Sequence, residues 1–295
     1  MRRTHRWVIL SVLFLQVACH GTSIVWVIAE TGEYVVLAAD SRRFADIRDP
    51  KFKSPDPKFR NLKSNNGECK VIALDDTLFL NAGSVVIGTY RGKYWNSQQA
   101  AREIYTASKD HEAQALSIAW GNRALTWFYG QSQSDIQSTL GPDGALVSGG
   151  FINFDSSGNP AAFSQNLSFD AATRQLSRKP VSQSKGQIGV SGIHPELVIE
   201  FEKAETPRAL KAYGTLKIHN VAKDLSYDIE FVRRAVQFVI DNVSEKDKRF
   251  VHGPIDVVVL RRLGGIDWVA RKPNCHTMDL RSAKKERRAS PSKKG

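Results

Sequence analysis

Hydrophobic positions along this chain alternate in blocks, and the blocks change period four times. Ser23 to Ala29 is a β-branched and aromatic run, and Tyr34 to Ala39 is another, with Thr31-Gly32 as a turn between them. That pattern predicts a β-hairpin. A second hairpin is expected from Val71 to Leu74, a turn at Asp75-Asp76, and Leu78 to Asn81, ending in Ala82-Gly83-Ser84. From Ser84 to Glu112 the apolar spacing lengthens toward a helical period, interrupted by Gly88 and Gly92, and His111 to Trp120 predicts a further helix. The period shortens again over Ala124 to Tyr129, Ala145 to Asp155 and Pro160 to Leu167, which predicts strands, and over the short strand Gly186 to Gly192. Helices are expected over Pro195 to Ala204 and Ser226 to Val243. In the latter Ile229, Val232, Ala235, Val236, Val239 and Ile240 form one stripe. Pro254 to Arg261 and Ile266 to Ala270 close a last hairpin around Gly264-Gly265. Segregated strand and helix blocks around antiparallel hairpins predict an α+β sandwich, not alternating β-α units.

The two ends of the chain carry most of its net charge of +12. Arg2, Arg3 and Arg6 precede the apolar run Trp7 to Ala18, and small residues follow at Cys19 and Gly21. This is the layout of a secretory signal peptide over 1–21, and it is shorter than the roughly 20 apolar residues of a membrane span. A secreted or periplasmic location follows as an expectation. A cut before Cys19 would instead make a lipoprotein, but Gln16 replaces the usual apolar residue there, so this stands second. From Arg271 to Gly295 nine basic and two acidic residues leave +7 in a Ser/Lys/Arg-rich segment, read as a disordered tail over 271–295. Removing +3 and +7 leaves about +2 for the body, so no folded basic face for nucleic acid is implied. Cys69 and Cys275 could pair in an oxidising compartment, and no cysteine spacing suggests a metal site. Five tryptophans, Trp26, Trp95, Trp120, Trp127 and Trp268, are assigned to core and hairpin packing.

The candidate chemistry lies at the first hairpin. Antiparallel pairing brings Thr22, at the start of one arm, close to Asp40, at the end of the other. A cut between Gly21 and Thr22 would give a free threonine amine beside its own hydroxyl. One residue would then supply both nucleophile and general base. Taken singly, these residues have ordinary explanations: Thr22 as a strand former, Asp40 as a turn residue and Lys70 as a solvated strand-edge lysine.

Together, G-T-S-I-V, V-V-L-A-A-D-S-R and K-V-I-A-L-D-D-T-L-F-L-N-A-G-S resemble the N-terminal half of proteasome β subunits and their bacterial peptidase relatives. The resemblance covers roughly Gly21 to Tyr90 well. It implies an N-terminal-nucleophile fold over 22–270: a four-layer α-β-β-α sandwich of two antiparallel sheets flanked by helices. It further implies a threonine-type peptidase or amidase working without a cofactor on a peptide or small amide, and self-association, since family members assemble in rings. Thr22 would be the nucleophile, and Lys70 would ease its deprotonation because a nearby ammonium favours the charged oxygen. Asp40 would pair with Lys70, Gly83 would offer its N–H to an oxyanion, and Ser191 would assist near the amine. The chain departs from the family in R-F-V-H-G-P-I-D, where Arg249 and His252 stand near an expected aspartate and serine. An exported sandwich that kept the fold and lost the chemistry is the alternative expectation.

Overall fold

The computed structural model describes residues 22–41, 69–83, 86–88, 94–133, 136, 145–192, 194–213, 225–244, 251–263, 265–273, 275 and 279–280. The segment 1–21 expected to be a signal peptide, the proline-rich stretch at 43–68, Arg249 and the residues from 281 onward lie outside them.

Two five-stranded antiparallel sheets dominate. The first is built from β1 (Ser23–Ile28), β2 (Tyr34–Ala39), β10 (Ile188–Gly192), β11 (Asp256–Arg261) and β12 (Gly265–Ala270), in the order β10-β1-β2-β11-β12. The second contains β3 (Val71–Leu74), β4 (Thr77–Gly83), β7 (Ala145–Phe154), β8 (Pro160–Asp170) and β9 (Gln175–Gln183), in the order β3-β4-β7-β8-β9. A small ribbon pairs β5 (Val86–Gly88) with β6 (Tyr94–Asn96). Four helices are described: α1 (Ser97–Ala107), α2 (Ala113–Tyr129), α3 (Pro195–Tyr213) and α4 (Leu225–Asn242). Among the described residues no helix is long and apolar enough to cross a membrane.

Strand alternation sorts side chains into three buried clusters. Along β1, Ile24, Trp26 and Ile28 join Val35, Leu37 and Ala39 of β2 and Val71, Leu78 and Leu80 of the second sheet in one cluster. This apolar layer lies between the sheets. The intervening residues Val25, Val27, Val36 and Ala38 pack on the other side against Val198 and Phe201 of α3 and Val232, Ala235, Val236 and Val239 of α4. Ile72, Leu74, Phe79 and Phe151 of the second sheet pack against Ala100 and Ala101 of α1 and Leu116, Trp120, Ala124 and Phe128 of α2. Because both faces of β1, β2, β3 and β4 are covered, these strands are buried throughout. The fold is α+β, with helices on the outer faces of two antiparallel sheets.

Several elements differ from their sequence pattern. Ala124–Tyr129, expected as a strand, is the second half of α2. Trp120, Ala124 and Phe128 recur every four residues on its buried side. A short apolar run does not separate a strand from a buried helix by periodicity. The helix expected from Ser84 begins at Ser97, where the Asn96 side chain accepts from the Gln99 N–H at 2.9 Å. β9 escaped notice because Q-L-S-R-K-P-V-S-Q is polar and largely exposed. It is an edge strand, the place where Pro180 is tolerated in a sheet. α3 runs on past Ala204 to Tyr213. Trp26, Trp95 and Trp120 are buried, while Trp127 and Trp268 are partly buried against the core.

The body also extends past Ala270, into residues the charge pattern assigned to the tail. Cys275 forms a disulfide with Cys69, and Arg271 is buried in an ion pair with Asp279 at 2.6 Å. Asp279 also accepts the Ala73 N–H of edge strand β3 at 2.8 Å, and Leu280 joins the core beneath α1 and α2. The Arg271 guanidinium lies 3.9 Å from the centroid of the Trp268 ring. These contacts strap the ends of the two sheets together.

Trp120 is fully buried, with ring centroids of Phe79 and Trp95 each 5.9 Å away and Gly149 leaving room for its ring. Trp120→Ala would remove that packing and leave a cavity. It is expected to destabilise the protein by about 3–5 kcal/mol in urea unfolding monitored by far-UV circular dichroism.

Candidate active site

The first hairpin brings Thr22 and Asp40 to the same end of the first sheet. With Ile24 opposite Ala39 in the register, Ser23 meets Asp40 one step further on. The Ser23 N–H donates to Asp40 Oδ1 at 2.8 Å and the Asp40 N–H returns to the Ser23 carbonyl at 3.0 Å. His252, in the approach to β11, donates its backbone N–H to Asp40 Oδ2 at 3.4 Å. Asp40 is fully buried, and its carboxylate therefore fixes the backbone that carries Thr22. The His252 residue itself is exposed, and this contact comes from its main chain.

Gly83, at the end of β4, joins the second sheet to Thr22. Its N–H donates to Thr22 Oγ1 at 3.3 Å. Its carbonyl accepts from Lys70 Nζ at 3.0 Å and from Asn81 Nδ2 at 3.4 Å. Gly83 has φ +92°, a conformation glycine adopts without a Cβ penalty. Lys70 enters from the start of β3, where the Asn81 N–H holds its carbonyl at 2.9 Å. A threonine hydroxyl, a backbone N–H directed at its oxygen and a buried ammonium thus occur in sequence across the gap between the sheets. Such a group can attack a carbonyl carbon and stabilise the negative charge that develops.

Ser191 lies on β10, directly opposite Ile24, and is half-buried. Directly opposed residues share a face, so Ser191 and Ile24 are on the inter-sheet side, as is Thr22 two residues before Ile24. The next residue, Gly192, fits most closely. A Cβ there would stand 1.7 Å from the Thr22 carbonyl oxygen, and its φ is +124°. Thr22 is therefore held from one side by Asp40 through Ser23 and from the other by the backbone of Gly192.

Sequence reasoning missed a second buried acid–base pair at this end of the sheet. Asp256, the first residue of β11, pairs with Ala39 in the register and so stands next to Asp40. Lys272 Nζ reaches Asp256 Oδ2 at 2.7 Å, and the Lys272 N–H donates to Asp256 Oδ1 at 2.9 Å. Burial lowers the pKa of the Lys272 ammonium below the ordinary lysine value. Asp256 and Asp40 pull it back up, while Lys70 pushes it further down. All four groups are at most 5% exposed. The available signal was Asp256 itself, an aspartate opening a Val-rich strand; Lys272 was masked by its basic neighbours.

Among the described residues no group of three His, Cys, Asp or Glu side chains is arranged to hold a metal ion. No protein-family model matches the chain, and no curated protein matches it in sequence. The geometry carries the functional reading.

Gly192→Ala is expected to displace Thr22 or force β10 away from β1. Strain at positive φ and a 1.7 Å overlap with backbone cannot be relieved by a rotamer change. The expected loss is at least about 1–3 kcal/mol of unfolding free energy, read as a lower urea midpoint.

Proposed function

We propose that this protein is an exported threonine-type N-terminal-nucleophile hydrolase that cleaves an amide bond in a peptide or small amide. The single observation carrying the reading is the Gly83 N–H directed at Thr22 Oγ1 at 3.3 Å, with Lys70 on the Gly83 carbonyl. The helix–sheet–sheet–helix stacking of the three core clusters supports the finer reading of an N-terminal-nucleophile sandwich.

Cleavage of the Gly21–Thr22 bond would free the Thr22 amine, whose ordinary pKa of about 8 suits a general base near neutrality. Thr22 Oγ1 attacks the substrate carbonyl carbon as its proton passes to the amine, directly or through water. The Gly83 N–H stabilises the oxyanion, and the Lys70 ammonium favours the charged form of the nucleophile. The C–N bond then breaks, the proton passes to the leaving amine, and an ester on Thr22 remains. Water, deprotonated by the same amine, hydrolyses that ester and restores the enzyme. Asp40 positions the Thr22 backbone, and Ser191 supplies a hydroxyl on the same face.

The non-catalytic reading has one observation in its favour. His252, near the position where the family has a serine, offers the centre its backbone N–H, and the residue is exposed. An exported binding module with this fold would need nothing more from that position.

Both readings meet in one experiment. Intact mass and N-terminal sequencing of the exported protein should give a chain starting at Thr22. On a panel of fluorogenic peptide amides, Thr22→Ala should lose at least about 1000-fold in kcat/KM, as loss of a covalent nucleophile does. A chain that retains residues before Thr22 and hydrolyses none of the panel would leave the binding-module reading.

A further inference from the structure

The mechanism above does not use Lys272, yet this cation is buried. Its ammonium is 2.7 Å from Asp256, and its backbone N–H holds the other oxygen of the same carboxylate. Asp256 stands beside Asp40 because β11 pairs with β2 in register, Asp256 opposite Ala39. Both carboxylates are buried and both act on the Lys272 ammonium, and buried charges of one sign are held in place by cations beside them. Lys70 approaches from the second sheet and Lys272 from the first. The charges of Asp40 and Lys70 both act on the Lys272 ammonium, so the three groups are close enough to feel one another.

Covalent structure fixes where Lys272 sits. Three residues after it, Cys275 is bonded to Cys69, the residue immediately before Lys70. The Cys275 N–H donates to the Lys272 carbonyl at 3.0 Å, closing a turn between them. Arg271, just before Lys272, is clamped by Asp279, which also holds the Ala73 N–H of β3. The strap carrying Lys272 is therefore anchored on both sides of that residue, to Cys69 just before Lys70 and to Ala73 in the strand just after it.

We propose that Lys272 is a positioning residue of the Thr22 centre, held by the Cys69–Cys275 strap so that Asp256 and Asp40 stay in place and Lys70 stays aligned on Gly83. This rests on the threonine-hydrolase reading and adds a cation supplied from about two hundred residues beyond the nucleophile's hairpin. Its effect passes through Asp256, Asp40 and Lys70.

The test uses the mature, disulfide-bonded protein and a β-lactone that acylates N-terminal threonine, with Thr22 acylation followed by intact mass. Lys272→Met keeps the length of the side chain and removes its charge; Lys272→Arg keeps the charge. Lys272→Met should slow the maximal acylation rate on the order of 100-fold, the scale set by misalignment of a reacting group. The lactone concentration giving half-maximal rate should barely change, and Lys272→Arg should recover much of the loss. Selective reduction of the disulfide by a water-soluble phosphine should slow the wild-type protein similarly and add little to Lys272→Met, because both act through one element. Acylation at the wild-type rate in a folded Lys272→Met protein overturns the proposal and leaves the Thr22 reading standing. If Lys272→Met fails to fold, reduction decides: an unchanged rate in the reduced, folded wild type overturns it. A wild-type protein that is not acylated, or a Thr22→Ala protein acylated equally, overturns the hydrolase reading and this proposal with it.

Discussion

Four opposite charges balance one another in the interior at one end of the two sheets, and the placement of Thr22 depends on that balance. Asp40 holds the backbone of Ser23, Lys70 holds the carbonyl of Gly83, and Lys272 neutralises Asp256 beside them. Removing one partner of a buried ion pair typically costs about 3–5 kcal/mol, because the remaining charge has no solvent to turn to. The four therefore stand or fall together. They also come from four segments distant in sequence, so their neutrality ties β2, β3, β11 and the strap after β12 to a common end point. Apolar packing between the sheets is non-directional and would tolerate small slips. A buried carboxylate with two specific backbone donors would not.

Gly83 gives this charge arrangement a chemical direction. One face of the residue gives an N–H to the threonine hydroxyl while its carbonyl takes an ammonium. Gly192 closes the other side so tightly that no side chain fits. Two glycines and one aspartate thus set the position of Thr22 mainly through the main chain. Backbone groups held by sheet pairing need little reorganisation when charge develops nearby, which is the condition for effective electrostatic stabilisation.

The hairpins Ser23–Ala39 and Val71–Gly83 were legible because β-branched runs, turn residues and abrupt polar ends all agree there. Thr22, Asp40, Lys70 and Gly83 were named together only through a resemblance, since no spacing rule brings Gly83 to Thr22 across 61 residues. The end of α2 was misread because a run of six residues is shorter than two helical turns. Edge strand β9 was missed because it faces water and carries no apolar alternation. Lys272 was illegible for a different reason. In R-K-P-N-C-H it looks like one more solvated cation, and only Cys275 hinted that the segment returns to the body. Burial of a charge is decided by its partners, and nothing in the residues around Lys272 points to Asp256, sixteen positions earlier.

The disulfide joins residues 206 positions apart, and that separation imposes an order of events on the chain. Thr22 and Asp40 leave the ribosome early and can pair as a local hairpin within microseconds. Lys272 and Cys275 follow only after every strand of both sheets has been synthesised. Synthesis adds roughly 5–20 residues per second, so the hairpin waits ten seconds or more for its last cation. During that interval Asp40 and Lys70 stand without the second pair, because Asp256 arrives in the same late segment as Lys272. The centre is therefore completed by the chain's own late arrival, and a nascent protein would carry a threonine poised in sequence but not yet in electrostatics.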